Sequence, residues 1–242
     1  MAIEVFNRYE YKYILSKKNY EDLSQILETK MKLDSYNRNR KCYTIANIYY
    51  DTDDDYLIRH SLEKPIYKEK LRLRSYGVPN MDSMVFLEIK KKFNGIVNKR
   101  RTSLKLSEAY DFVNLNVKPE YKEYMNKQIL NELEYFMSIY NLMPKLYLAY
   151  DRIAYFEKGN EDLRISIDQN IRSRRYDLRL EAGDYGELLL DDDIYLMEIK
   201  TSMAEPLWLT HALTELNIKR RSFSKYGTEF KNAQKKFKVG DI

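Results

Sequence analysis

The chain has 242 residues, 44% of them apolar and a third charged, enough for a real core and against disorder throughout. Its 5 Pro and 7 Gly exclude collagen-like and low-complexity classes. Lys and Arg total 42 against 37 Asp and Glu, a net charge of +5, too balanced for a nonspecific DNA coat, so no nucleic acid partner is expected. No apolar run approaches the ~18 residues of a membrane span, and the opening residues run straight into charged sequence without a signal-peptide core. A single Cys42 excludes an intramolecular disulfide and a cysteine-cluster metal site and fits a reducing, cytoplasmic setting.

No internal repeat or linker breaks the sequence, so one domain over residues 1–242 is expected. Strict alternation predicts strands at 6–15, 44–51, 67–76, 84–93 and 96–106, then at 145–156, 163–168, 174–180, 187–190 and 194–202. Hairpin turns are expected at 77–80, 93–95, 158–160 and 182–186. Between the strands, helices are predicted over 17–30 after a Ser16 cap, 53–61, 107–114, 120–140, 207–216 and from Ser224 to about 236. Strands dominate and helices are inserted, so the fold class is α+β: an antiparallel sheet closing into a β-barrel, with flanking helices.

Alternate side chains of a strand share a face. Lys68, Lys70, Arg72 and Arg74 therefore project one way, and Leu71 and Leu73 the other. Neighbouring cations at ~6.6 Å repel by about 0.6 kcal/mol in water and by ~2.5 kcal/mol at a partly buried site. The same grammar aligns Arg8, Glu10 and Lys12; Glu88, Lys90 and Lys92; Lys99 and Arg101; Arg164, Ser166 and Asp168; Glu198 and Lys200; and Tyr150 with Arg152. An ordinary solvated face mixes both charge signs with neutral polar groups, whereas these faces are nearly all Arg and Lys with one Glu per group. If the sheet closes, they converge on one lumen that must hold polyanion. Arg8, Lys70, Lys99, Lys200 and Arg101 then suit phosphate, with Tyr150 beside them. The sparse carboxylates Glu198, Glu10 and Glu88 suit a hard divalent cation that shares its oxygen ligands with substrate phosphates.

Residues 6–13 (FNRYEYKY), 70–76 (KLRLRSY), 86–90 (FLEIK), 150–155 (YDRIAY), 163–168 (LRISID), 197–200 (MEIK) and 223–226 (FSKY) occur in this order along nearly the whole chain. Together they resemble the VTC domain, the polyphosphate polymerase domain of the vacuolar transporter chaperone type, in the triphosphate tunnel (CYTH-like) superfamily. The resemblance implies a basic tunnel in which ATP gives its γ-phosphate to inorganic polyphosphate with Mn²⁺ or Mg²⁺. On matching positions, Lys12, Arg72, Arg74, Lys90, Arg152, Arg164 and Lys225 would grip phosphates, with Lys200 in the second E-x-K. Glu198 would be the principal metal ligand, and Ser224 would offer a hydroxyl. It also implies a separate membrane protein partner for a chain peripheral to the membrane. Tunnel triphosphatases open with E-x-E-x-K; Arg8 replaces the first Glu here, which favours the VTC branch.

Phosphoryl transfer needs positioning and charge stabilisation more than covalent help. With water as acceptor the same lumen gives a tunnel triphosphatase, and without turnover a polyphosphate-binding module; both alternatives stay open. There is no G-x-x-x-x-G-K-[ST], so a P-loop enzyme is excluded. His60 and His211 have no metal-ligand spacing. The acidic run 51–55 reads as a helix N-terminus rather than a calcium loop, and 191–193 as a solvated hairpin end. Lys219, Arg220 and Arg221 fit a solvated cluster, the tunnel rim or an anionic membrane.

Overall fold

The computed structural model describes residues 9–37, 41–94 and 96–240. Chain order is β1 (Tyr9–Ser16), α1 (Lys17–Lys30), β2 (Met31–Leu33), β3 (Tyr43–Asp51), α2 (Tyr56–Leu62), β4 (Tyr67–Tyr76), β5 (Met84–Phe93) and β6 (Ile96–Lys105). Then follow α3 (Leu106–Asn114), α4 (Lys127–Ile139), β7 (Met143–Glu157), β8 (Asn160–Arg174), β9 (Glu187–Leu188), β10 (Ile194–Thr201), α5 (Leu207–Glu215) and α6 (Lys225–Gly240). The strands form one antiparallel sheet in the order β1-β10-β8-β7-β3-β4-β5-β6, with β2 added on β7 and β9 on β8.

Among the described residues no ladder joins the edge strands β1 and β6, so the expected closed barrel is instead a curled, open sheet. The curl is nonetheless tight. Glu10 on β1 comes within 3.8 Å of Lys90 on β5, although five strands separate them along the ladder.

Three apolar clusters fix the curl. Alternation divides β3: Ala46, Ile48 and Tyr50 pack outward with Leu71, Leu73, Leu87 and Leu104 under Phe112 of α3 and Leu133 of α4. A second outer cluster sets Leu15, Ile165, Ile167, Met197 and Ile199 against Leu23 and Leu27 of α1 and Leu209 of α5. The third fills part of the concave side, where Ile45, Tyr49, Leu146, Leu148 and Tyr150 meet Ile58 of α2 and Tyr226 and Phe230 of α6. Helices outside bend the sheet, and α6 lies within the bend.

Local chemistry sets the helix starts. Ser16 Oγ accepts from Asn19 N–H at 3.2 Å to begin α1, and Asn126 Oδ1 accepts from Ile129 N–H at 3.1 Å to begin α4. That second cap, with Asn126 N–H donating to Thr102 Oγ1 at 2.9 Å, starts the helix at Lys127 rather than at the expected 120. The buried Asp51 accepts from the backbone N–H groups of Thr52, Leu57 and Ile58 at 2.8–2.9 Å, which ties the acidic run to the start of α2. The helix begins at Tyr56, not 53, because Asp55 sits at φ 58°, outside helical backbone.

No strand forms at 174–180: β8 runs to Arg174, and the chain then folds back on that side chain. Its guanidinium donates to the carbonyls of Asp177, Arg179 and Tyr185 at 2.7–3.1 Å and lies 3.5 Å from the Tyr147 ring centroid. The expected hairpin turn at 158–160 is present, with Gly159 at φ 82° between β7 and β8.

Leu87 is fully buried on the outer face. Leu87→Ala is expected to lower the unfolding free energy by about 2–5 kcal/mol in urea titration while leaving polyanion affinity unchanged.

Candidate functional site

Register builds the concave face row by row. On one wall Lys70, Lys90 and Lys99 stand directly opposite one another, then Arg72, Glu88 and Arg101, then Arg74, Phe86 and Ser103. On the other wall Glu10, Lys200 and Arg164 form a row, followed by Lys12, Glu198 and Ser166. Arg152 on β7 faces Asp168 on β8. Like charges directly opposite in a sheet repel, so the lysine row stands only with compensation from elsewhere.

Carboxylates supply it. Glu88, 1% exposed, holds Arg72 Nε at 2.7 Å, Lys99 Nζ at 2.6 Å and Arg74 Nε at 3.8 Å. Across the cavity Glu198 gathers Lys12 at 3.1 Å, Lys200 at 3.6 Å, Lys225 at 3.8 Å and Arg152 at 4.0 Å. Asp168, fully buried, accepts hydrogen bonds from Arg152 Nε and Nη2 at 2.6 and 2.8 Å and from Lys225 Nζ at 2.6 Å. Glu10 bridges the walls, 3.4 Å from Lys12, 3.8 Å from Lys90 and 3.9 Å from Lys200. Neutral groups finish the frame: Arg74 donates to Asn47 Oδ1 at 2.9 Å and to Tyr150 Oη at 3.3 Å, and Arg72 to Tyr49 Oη at 3.3 Å.

The structure therefore brings together Lys12, Lys70, Arg72, Arg74, Lys90, Lys99, Tyr150, Arg152, Lys200, Lys225, Glu10, Glu88 and Glu198. Arg101 lies over the Phe86 ring at 4.7 Å, and Arg164 turns to Asp34 at 3.0 Å and to the Phe156 ring at 5.1 Å. Ser224 Oγ accepts from Gly227 N–H at 3.2 Å, so its hydroxyl serves the start of α6. Arg220 is drawn off to the Tyr11 ring and Glu205. Arg8 lies outside the described residues. Asp168 and Asn47 were not among the expected site residues. Asp168 had a legible signal in its place on the Arg164–Ser166 face; Asn47 had only its polarity inside an apolar strand.

The three glutamates divide between two groups of cations. Glu88 shares no cation with Glu10 or Glu198, and among the described residues no group of three His, Cys, Asp or Glu side chains is placed to hold a metal ion. Glu10 and Glu198 do share Lys12 and Lys200. That pair suits a small hard cation, which takes one or two protein carboxylates and completes its shell with water and substrate phosphates.

Charge is under tension here. Burial pushes the Lys70 ammonium down to about 7, with repulsion from Lys90, Lys68 and Lys12 adding to it. Burial, against the pull of Glu10 and with repulsion from Lys12 and Lys200, brings Lys90 to about 8. Lys99 falls to about 7 by burial despite Glu88, because Arg74 and Arg72 claim the same carboxylate and guanidinium does not give up its proton. Burial would raise Glu88, yet Arg74, Arg72 and Lys99 hold it well below the usual carboxylate range. Glu198 is likewise held well down, as burial is outweighed by Lys12, Lys225, Lys200 and Arg152. Lys90 and Lys99 keep roughly a third of their side chains open to the lumen, so an entering anion can reach them.

Two outcomes follow. Near pH 7.5 part of the Lys70, Lys90 and Lys99 population is neutral, and an anion raises each pKa. Inorganic tripolyphosphate should then take up protons on binding, seen as a dependence of calorimetric enthalpy on buffer ionisation enthalpy, with affinity falling as pH rises from about 7 to 9. A buffer-independent enthalpy would contradict this. Asp168→Asn removes the charge paired with Arg152 and Lys225 and is expected to lower stability by about 3 kcal/mol in urea titration.

A family model described as "VTC domain" matches residues 7–233. Subunit 4 of the vacuolar transporter chaperone complex from Trypanosoma brucei brucei is 33% identical over 168 residues, 59% of this chain and 20% of that protein. Its counterpart from Schizosaccharomyces pombe is 26% identical over 202 residues, 74% of this chain and 28% of that protein. The chain thus spans between a fifth and a third of the length of these relatives. A crystal structure of a provisionally assigned adenylate cyclase from Bacillus halodurans superposes with a TM-score of 0.56 at 16% identity, covering 90% of this chain and 96% of that one, a likeness of fold. With the family model spanning almost the whole curled sheet of triphosphate tunnel type, the chain belongs to the VTC domain family.

Proposed function

We propose that the chain is a metal-dependent polyphosphate polymerase, transferring the γ-phosphate of ATP to a growing inorganic polyphosphate chain along the concave face. The observation that carries this reading is the pair of facing cation clusters, one anchored on Glu88 and one on Glu198 and Asp168, joined across the cavity by Lys90 and Glu10. Two walls rich in positive charge that come together at the 3.8 Å contact of Glu10 with Lys90 fit a linear polyanion held between them. Membership in the VTC domain family supports the same reading.

On this reading Arg72, Arg74 and Lys99 bind one stretch of phosphate, while Lys12, Lys200, Arg152 and Lys225 bind the other. Donor and acceptor meet at Lys90, which stands on one wall and reaches Glu10 of the other. Held in line, the two chains need no general base, because a terminal phosphate is already an anionic nucleophile at neutral pH. The cations stabilise charge that develops on the transferring group, from positions fixed in advance by buried carboxylates. Glu198 and Glu10 would hold Mn²⁺ or Mg²⁺, which supplies electrophilic activation and neutralises phosphate oxygens when bound. Arg152, doubly hydrogen-bonded to Asp168, cannot swing away as the chain advances.

Among the described residues no helix is long and apolar enough to cross a membrane. The relatives are subunits of a complex, which supports a separate protein partner for this chain.

The purified chain incubated with ATP and Mn²⁺ is expected to give long polyphosphate on a gel, and Glu198→Gln to reduce it at least about 100-fold. No polymer with any divalent metal rejects the reading. Phosphate released without polymer assigns hydrolysis instead, and tight salt-sensitive binding without turnover assigns a binding module.

A further inference from the structure

One group of side chains on the concave face has no use for a phosphate chain. Tyr36, Tyr43 and Tyr76 form a triangle with ring centroids 5.9 Å apart, and Tyr36 and Tyr76 are nearly parallel at 14°. Phe86 meets Tyr76 edge-on at 5.8 Å, and Arg101 covers the Phe86 ring. Four aromatic rings packed together are common in a core, but this group opens to solvent: Tyr36 is 68% exposed and Tyr76 43%.

Its place in the fold is specific. Tyr76 lies two residues beyond Arg74 on the same face of β4, one strand repeat or about 7 Å further along. Phe86 stands directly opposite Arg74, and Tyr43 directly opposite Arg152. The rings thus border guanidiniums that belong to both cation clusters. Toward the other end of β4 and β5 the corresponding inward positions are Lys68 and Lys92, facing each other. At that end Tyr67 and Tyr140 meet Glu69, which shares the outer face with Leu71, and Phe93, directly opposite Tyr67, stands on that outer face as well. Among the described residues the two ends of the cavity therefore differ in chemistry: the inward positions of β4 and β5 are lysines at one end, and at the other cations stand beside exposed tyrosines.

Polyphosphate has no π-face and gains nothing from the rings, whereas a nucleobase stacks on tyrosine irrespective of its identity. We infer that Tyr36 and Tyr76, backed by Tyr43 and Phe86, are the stacking platform for the base of the donor nucleotide, which enters by this mouth with its triphosphate directed toward Arg74 and Arg152. This rests on the proposed function and adds direction to it: the nucleotide occupies the aromatic end, and the polymer extends toward the lysine end. Stacking without base-edge hydrogen bonds also makes the site tolerant among nucleoside triphosphates.

The test compares ATP with inorganic tripolyphosphate by calorimetry on the full chain, in buffer without divalent metal so that neither turns over. Tyr36→Ala with Tyr76→Ala is expected to weaken ATP about tenfold and to leave tripolyphosphate within twofold. The matching Phe substitutions keep the rings and are expected to retain ATP affinity, which separates stacking from loss of a hydroxyl or of folding. Equal weakening of both ligands, or no change in either, overturns the base platform while leaving the phosphate site standing. A wild-type chain that binds neither ligand overturns the platform and the proposed function together.

Discussion

Everything in this fold answers to one electrostatic constraint: a concave face that carries more cations than carboxylates and is shielded from water by the sheet that bears it. Mutual repulsion at such a surface is several times stronger than in solvent. The buried carboxylates are placed where each serves several cations at once. Glu88 stands among three, Glu198 among four, and Asp168 fixes the guanidinium and ammonium nearest the start of α6. What remains uncompensated falls on lysines rather than arginines, because an ammonium can shed its proton and a guanidinium cannot. The suppressed charge on Lys70, Lys90 and Lys99 is the residue of that arithmetic.

The rest of the molecule holds this face in shape. Helices α1, α3, α4 and α5 cover the outer faces with leucines and aromatics, and α6 enters from the concave side. Its first residue, Lys225, reaches Asp168, and its second, Tyr226, donates to Asp51 at 3.1 Å. One helix thereby ties the charged floor of the cavity to the carboxylate that starts α2.

Much of this was legible in the sequence, because side-chain alternation is a local property. The charged rows on β4, β5, β8 and β10 follow from i, i+2 spacing alone, as does the outward placement of Leu71 and Leu73. Long-range pairing is not written in any one strand. Nothing local shows that Glu88 belongs to Arg72 while Glu10 reaches Lys90. The false strand at 174–180 failed for a related reason: Arg174 had alternation on its side, but its guanidinium found three backbone carbonyls and two tyrosine rings that sequence spacing does not reveal. The early helix start at 120 ignored an Asn126 cap, and Asp55 sat in backbone that a helix interior does not adopt. Asn47 was read only as part of the strand at 44–51, although its amide oxygen orients Arg74.

Among the described residues no ladder joins the edge strands β1 and β6, and the cavity has a seam there. Where other strands are stitched by backbone amides, β1 meets β5, the neighbour of β6, through Glu10 and Lys90. Backbone ladders are indifferent to ionic conditions, but a contact of that sort loosens when a competing polyanion or concentrated salt arrives. Salt therefore weakens this line of the wall before it weakens those held by amides.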